Sequence, residues 1–141
     1  MSIRLAKNTD APDLSRLLTQ LDYPGTETFI AAKLGKILAD PAERLLVWAE
    51  GEHVLGFLSL HFHNQLGTEG DFAIISYFAV DEAAQSKGIG AQLEAAATRL
   101  AQEHGCDRIV VHCHTRRTRA HAFYYRQGYE ESPKYLIKRL S

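Results

Sequence analysis

The sequence predicts an α/β (α+β) fold, with a central mixed, mostly antiparallel sheet of six to seven strands and about four flanking helices. Three observations carry this. From Ile74 to Arg99 an apolar run rich in β-formers breaks at Asp81, crosses a small polar loop and enters a long helical pattern at Gly88. Between Glu43 and Phe62 two apolar stretches flank Glu50-Gly51-Glu52-His53, as the arms of a β-hairpin do. Elsewhere apolar residues recur at helical spacing, as Leu14, Leu17, Leu18 and Leu21, and as Ile30, Leu34, Ile37 and Leu38.

Each element follows from local chemistry. Ile3 to Ala6 alternates apolar with polar and reads as a first strand. Thr9 or Asp10 is a natural cap for the first helix, which tolerates Pro12 in its opening turn. Tyr23-Pro24-Gly25 is a turn, Thr26 is placed to cap a second helix, and Asp40-Pro41 ends it. Gly35 weakens that helix by about 1 kcal/mol relative to alanine. Glu43 to Ala49 and Val54 to Phe62 are the hairpin strands, and residues 64–71 form a loop containing Gly67 and Gly70. Phe72 to Val80 is apolar on both faces, which marks a central strand. The helix after Gly88 carries Ile89, Leu93, Ala96, Ala97 and Leu100 on one side, and Gly105 suits its end. Arg108 to Cys113 is a further strand. Thr118 caps a short helix through Gln127, stopped by Gly128, and Tyr129 to Ser132 and Lys134 to Leu140 make two closing strands about Pro133. With no repeat or linker, residues 1–141 read as a single domain.

Composition narrows the function. Hydrophobic content of 45% and charged content of 23% are those of an ordinary globular chain. A formal net charge of -1 argues against general attraction to nucleic acid or membranes. The start lacks the apolar core of a signal peptide, and no apolar run is long enough to span a bilayer. Cys106 and Cys113 lack zinc-type spacing, so a reduced, cytoplasmic setting is expected.

The join Gln85-Ser86-Lys87-Gly88-Ile89-Gly90 is where residue chemistry points to a ligand. A helix start leaves its first amide N–H groups unpaired and favours anions, and glycines let the backbone approach a phosphate closely. It lacks the G-K-[ST] ending of a P-loop and the third glycine of a dinucleotide fingerprint. Together with Tyr77-Phe78-Ala79-Val80 and Ala120-His121-Ala122-Phe123-Tyr124-Tyr125-Arg126-Gln127-Gly128-Tyr129, this loop gives the chain a pattern that resembles the GNAT (Gcn5-related N-acetyltransferase) superfamily along nearly its whole length.

The resemblance implies transfer of an acetyl group from acetyl-CoA directly to a primary amine of a small molecule, peptide or protein. It implies a sheet splayed between the strands ending near Val80 and Cys113, with pantetheine along Phe78, Ala79 and Val80. The pyrophosphate would then meet Gln85, Ser86, Lys87, Gly88, Ile89, Gly90 and Ala91. Tyr124 takes the family's general-acid position, protonating the departing sulfur, with packing over the cofactor as its other possible role. Where the family often has asparagine this chain has Arg117, which with Arg116 and Arg119 either faces coenzyme A phosphates or forms a solvated basic loop.

The general base stays open among His61, His63, Ser76 and His114, with Asp71 and Glu82 as carboxylate alternatives. His61-Phe62-His63 and His112-Cys113-His114 are two H-x-H pairs, but the resembled fold sets them at opposite ends of the sheet, so no metal is expected. Direct transfer is preferred to an acetylated Cys113, with a backbone N–H near Ala79 or Val80 facing the oxyanion. Leu21 to Thr26, His63 to Asp71 and the end of the chain would border the acceptor, with Tyr23, His61 and His63 as liners. The acceptor itself is not specified, and a homodimer is allowed for. A non-catalytic acyl-CoA-binding sensor or regulatory module is the alternative.

Overall fold

Five strands form one sheet in the order β1-β2-β3-β4-β5: β1 (Ser2–Leu5), β2 (Glu43–Glu50), β3 (His53–His63), β4 (Asp71–Val80) and β5 (Cys106–Val111). The computed structural model describes residues 2–111, 118–131 and 136–140. Neighbouring strands are antiparallel except β4 and β5, which run parallel. A parallel pair needs a crossover, and α3 (Ile89–Glu103) supplies it. Before β2 come α1 (Ala11–Gln20) and α2 (Ile30–Ala39), and after β5 comes α4 (Thr118–Arg126).

Strand alternation divides the core into two layers. Leu46, Trp48, Leu58, Leu60, Phe62, Ala73 and Ile75 face α3, meeting Ile89, Leu93, Ala97 and Ala101. Leu45, Val47, Val54, Phe57 and Ala79 face α1 and α2, meeting Leu14, Leu17 and Leu34. Gly56 sets how closely α3 lies on the sheet. A Cβ there would stand 3.1 Å from Ile89 Cγ2, 3.2 Å from Leu93 Cδ1 and 3.3 Å from the Ala79 carbonyl.

Two irregularities in β4 prepare a site. Opposite β3 the register runs from Ser59↔Tyr77 to Leu60↔Ile75, so Ser76 has no partner and forms a bulge. Pairing with β5 ends at Ile75↔Val111 among the described residues. The last turn of β4, from Ser76 to Val80, is therefore held on its β3 side.

Several expectations need correction. The described residues form five strands rather than six to seven, and neither 129–131 nor 136–140 is a strand. Tyr129 instead turns back onto α3, where Glu94 accepts its hydroxyl hydrogen bond. Part of the expected final hairpin, including Pro133, lies outside the described residues. Asp10 does stand at the N-cap of α1, but its side chain makes no capping bond there: the carboxylate accepts from Arg4 at 2.8 and 2.9 Å and from Lys7 N–H at 2.8 Å, within the 3-10 turn that also holds Thr9. Thr26 does not cap α2, which starts at Ile30; it is buried with its hydroxyl 2.6 Å from that of Ser15. The fifth strand begins at Cys106 rather than Arg108, and Cys113 lies outside the described residues.

Candidate active site

A cleft of about 750 Å³ opens along the part of β4 that follows Ile75, the last residue of β4 with a described partner on β5. Phe78, Ala79 and Val80 form its floor, the loop from Glu82 through Gly88 and the start of α3 one wall, and α4 the other. The Asp81 N–H donates to the Leu55 carbonyl on β3 at 2.8 Å. Backbone groups alternate sides along a strand, so the N–H groups of Phe78 and Val80 face away from β3, past the last described β4–β5 pair. There a ligand with amide groups can pair with them as a strand would.

The loop turns through two left-handed residues, Ser86 at φ 70° and Gly88 at φ 78°. Gly88 stands at the N-cap of α3, and its carbonyl accepts the first hydrogen bond of the helix, from Gln92 N–H at 3.1 Å. The N–H groups of Ile89, Gly90 and Ala91 thus point out of the helix start, the arrangement that accepts phosphate oxygens. A Cβ at Gly90 would lie 3.5 Å from the Phe123 ring, so the glycine keeps this wall close to α4. Arg119, in the first turn of α4, reaches across to Gln85 Oε1 at 3.4 Å.

A set of polar contacts holds the loop from behind. The carboxylate of Asp81 accepts from Ala83 N–H at 3.0 Å and from Gln20 Nε2 at 3.5 Å, and it pairs with Arg16. Arg16 also donates to the Val54 carbonyl at 2.9 Å, and Gln20 Oε1 accepts from Glu82 N–H at 2.9 Å. The Ala83 hydrogen bond, with Arg16 and Gln20 behind it and burial opposing, holds the Asp81 carboxyl below its ordinary value. Helix α1 thereby fixes the end of β4 and the start of the loop.

On the far wall, among the described residues, the Tyr124 ring meets Phe78, Phe123 and Tyr129 edge-on, at 6.3, 5.5 and 5.3 Å between centroids. Phe123 also meets Phe78 at 5.7 Å. Such edge contacts orient rings as well as bury them.

Of the residues expected at the site, Phe78, Ala79, Val80, Gln85, Ser86, Gly88, Ile89, Gly90, Ala91 and Tyr124 all line this one cleft. Lys87 is exposed and not among the lining residues. Arg117, Arg116 and His114 lie outside the described residues, as does His112. His61 and His63 pair across the sheet with Ile74 and Phe72, about 20 and about 26 Å along β4 from the Val80 end. There His61 Nδ1 sits 2.8 Å from Glu43 Oε1, and His63 Nδ1 2.9 Å from Gln65 Nε2. Ser76 is exposed at the bulge. On the opposite face Tyr77 is 41% exposed and meets Tyr23 edge-on at 5.1 Å. Among the described residues no group of three or more His, Cys, Asp or Glu is arranged to hold a metal, and no helix is long and apolar enough to cross a membrane.

Gln20, Thr118, Arg119, Phe123 and Gln127 line the cleft without having been singled out as donor-binding residues, apart from Arg119's place in the basic cluster. The helical spacing of Ala120, Phe123, Tyr124 and Gln127 was a usable signal; Gln20 offered none, because its partners are some 60 positions away.

Residues 11–129 match the profile of the acetyltransferase (GNAT) family. An aminoalkylphosphonate N-acetyltransferase from Salmonella typhimurium is 29% identical over 116 residues, covering 82% of this chain and 73% of that protein. A Bacillus halodurans structure described as a transcriptional regulator superposes with a TM-score of 0.92 at 26% identity, covering 99% of both chains. An aminoglycoside N-acetyltransferase in complex with coenzyme A superposes with a TM-score of 0.86 at 20% identity, covering 98% of this chain and 93% of that one.

Proposed function

The chain belongs to the acetyltransferase (GNAT) family and is an acetyl-CoA-dependent N-acetyltransferase, and we propose that its donor lies in the cleft between β4 and α4. The observation that carries this is the convergence of the end of β4, a helix start with unpaired N–H groups and a tyrosine on one cavity. The N–H groups of Ile89, Gly90 and Ala91 take pyrophosphate oxygens, with Gln85, Ser86 and Arg119 beside them. The backbone of Phe78 and Val80 pairs with the pantetheine amides.

Acetyl-CoA supplies the thioester whose acetyl group passes directly to a primary amine. Val80 N–H faces the oxygen on which negative charge builds. Tyr124 donates its phenolic proton to the departing sulfur as the C–S bond breaks. Of the base candidates, Ser76 is two residues from Phe78 and orders a water that takes the amine proton. The acceptor enters from the face bearing Tyr23 and Tyr77, with the bulge at Ser76 opening the way through the sheet.

A second reading, a non-catalytic acyl-CoA sensor, draws support from the likeness to the Bacillus halodurans regulator. Release of free thiol from acetyl-CoA separates the two, measured with aminoalkylphosphonates, aminoglycosides and peptide N-termini. The enzyme reading predicts turnover with at least one amine, and a fall of about 100-fold in Tyr124→Phe with coenzyme A binding spared. Tight acetyl-CoA binding with no turnover across the panel supports the sensor. Unchanged turnover in Tyr124→Phe removes the acid assignment.

A further inference from the structure

Glu94 is a buried carboxylate for which the chemistry above has no use. It lies on α3, five positions into the helix whose start forms the anion site, and is 7% exposed. Its Oε2 accepts from Thr98 Oγ1 at 3.1 Å, one turn further on, and from the Tyr129 hydroxyl at 3.0 Å. A carboxylate withdrawn from water is costly unless such bonds are made, so an acid in this position calls for a partner. The partner ties it to the opposite wall of the cleft. Tyr129 follows the glycine that ends α4, its N–H donates to the Tyr124 carbonyl at 3.0 Å, and its ring lies edge-on to that of Tyr124 at 5.3 Å. Burial first, then the Glu94 charge and hydrogen bond, and last Tyr124, push the Tyr129 phenol far above its ordinary range, so it remains a donor at any working pH.

We propose that Glu94 is a positioning residue that acts through Tyr129: their hydrogen bond clamps the end of α4 against α3 and so holds the Tyr124 ring at its angle in the cleft. The rings of Phe78 and Phe123 also meet Tyr124 edge-on, and the Tyr129 hydroxyl adds to its own ring contact a directional bond to a carboxylate fixed on α3. This rests on Tyr124 being the acid of the transfer step.

The test uses the full chain with acetyl-CoA and the best amine found in the panel, measuring kcat, KM for acetyl-CoA and the coenzyme A Kd. Tyr129→Phe keeps the ring and removes the hydroxyl. It should lower kcat about tenfold, the scale of one charge-assisted hydrogen bond, with KM and Kd within about twofold. Glu94→Gln keeps an accepting oxygen and should retain most of the rate, while Glu94→Leu should match Tyr129→Phe. In a Tyr124→Phe background Tyr129→Phe should cost nothing further, because the group it aims is gone; a merely structural role would cost the same in both backgrounds. If Glu94→Leu fails to fold, Tyr129→Phe in the two backgrounds carries the test. The proposal is overturned if Tyr129→Phe leaves kcat unchanged while Tyr124→Phe is slow, or if the two losses add. If Tyr124→Phe itself turns over at the parent rate, the acid assignment fails and the proposal goes with it.

Discussion

Replacing Gly56 by alanine should loosen the fold and the anion site together. Each atom that the new Cβ would meet is pinned: Ile89 and Leu93 are 2% and 0% exposed, and the Ala79 carbonyl belongs to the β3–β4 region. At 3.1 to 3.3 Å the neighbours must give by a few tenths of an ångström, by a retreat of α3 for Ile89 and Leu93 and by a shift within the sheet for the Ala79 carbonyl. Overpacking of this kind costs about 1–3 kcal/mol. For a chain of this length that lowers Tm by roughly 3–10 °C. Because Ile89 begins α3, the retreat also moves the helix-start N–H groups, so coenzyme A affinity should fall as well. Gly35→Ala is the control: nothing lies within 4 Å of its Cβ, it is inside α2, and its φ is not positive, so it should stabilise by up to about 1 kcal/mol. Thermal unfolding of the two variants beside the parent gives both signs. A Gly56→Ala protein as stable as the parent would refute the packing argument.

Gly88→Ala forces a Cβ into the left-handed region at φ 78°, with an expected cost of about 1–2 kcal/mol and weaker coenzyme A binding by calorimetry. Arg16→Gln should destabilise by about 1–3 kcal/mol near neutral pH by taking the charged partner from buried Asp81. Asp81 has a lowered folded-state pKa, so its contribution is complete above the ordinary value of 3.8 and is lost as pH falls through the lowered value. The stability gap between parent and Arg16→Gln in urea should therefore hold from about pH 7 to 5 and close only below 3.8. A gap that closes already near neutral pH would point to a different group.

What could be read in the chain followed the range of the interactions that decide it. The hairpin, the glycine loop and α3 are settled by neighbours within a few positions, and each stands within a residue or two of its expected bounds. Thr26 and Asp10 look like helix caps because serine, threonine and aspartate cap helices locally. Their hydroxyl and carboxylate are instead taken by Ser15 and Arg4. Glu94 was invisible for the same reason. A glutamate inside a helix reads as a solvated residue, and nothing near it in the chain announces Tyr129, 35 positions on. His61 and His63 do share a face, with ring centroids 5.9 Å apart, yet strand register puts them at the wrong end of β4 for the cleft. Register could not be counted across a loop of residues 64–70, nor the bulge at Ser76 foreseen from a run of apolar residues.

The most direct test of the donor site is backbone amide NMR on adding coenzyme A. The largest shifts should fall on residues 85–91, on Phe78 and Val80, and on the α4 residues of the same cleft. The chain has a second groove, of about 550 Å³, on its far side between β1, β2 and the end of α2, where Leu5, Ile37, Leu38 and Arg44 line the wall. Shifts concentrated in that groove, with residues 85–91 unmoved, would contradict the assignment of the cleft.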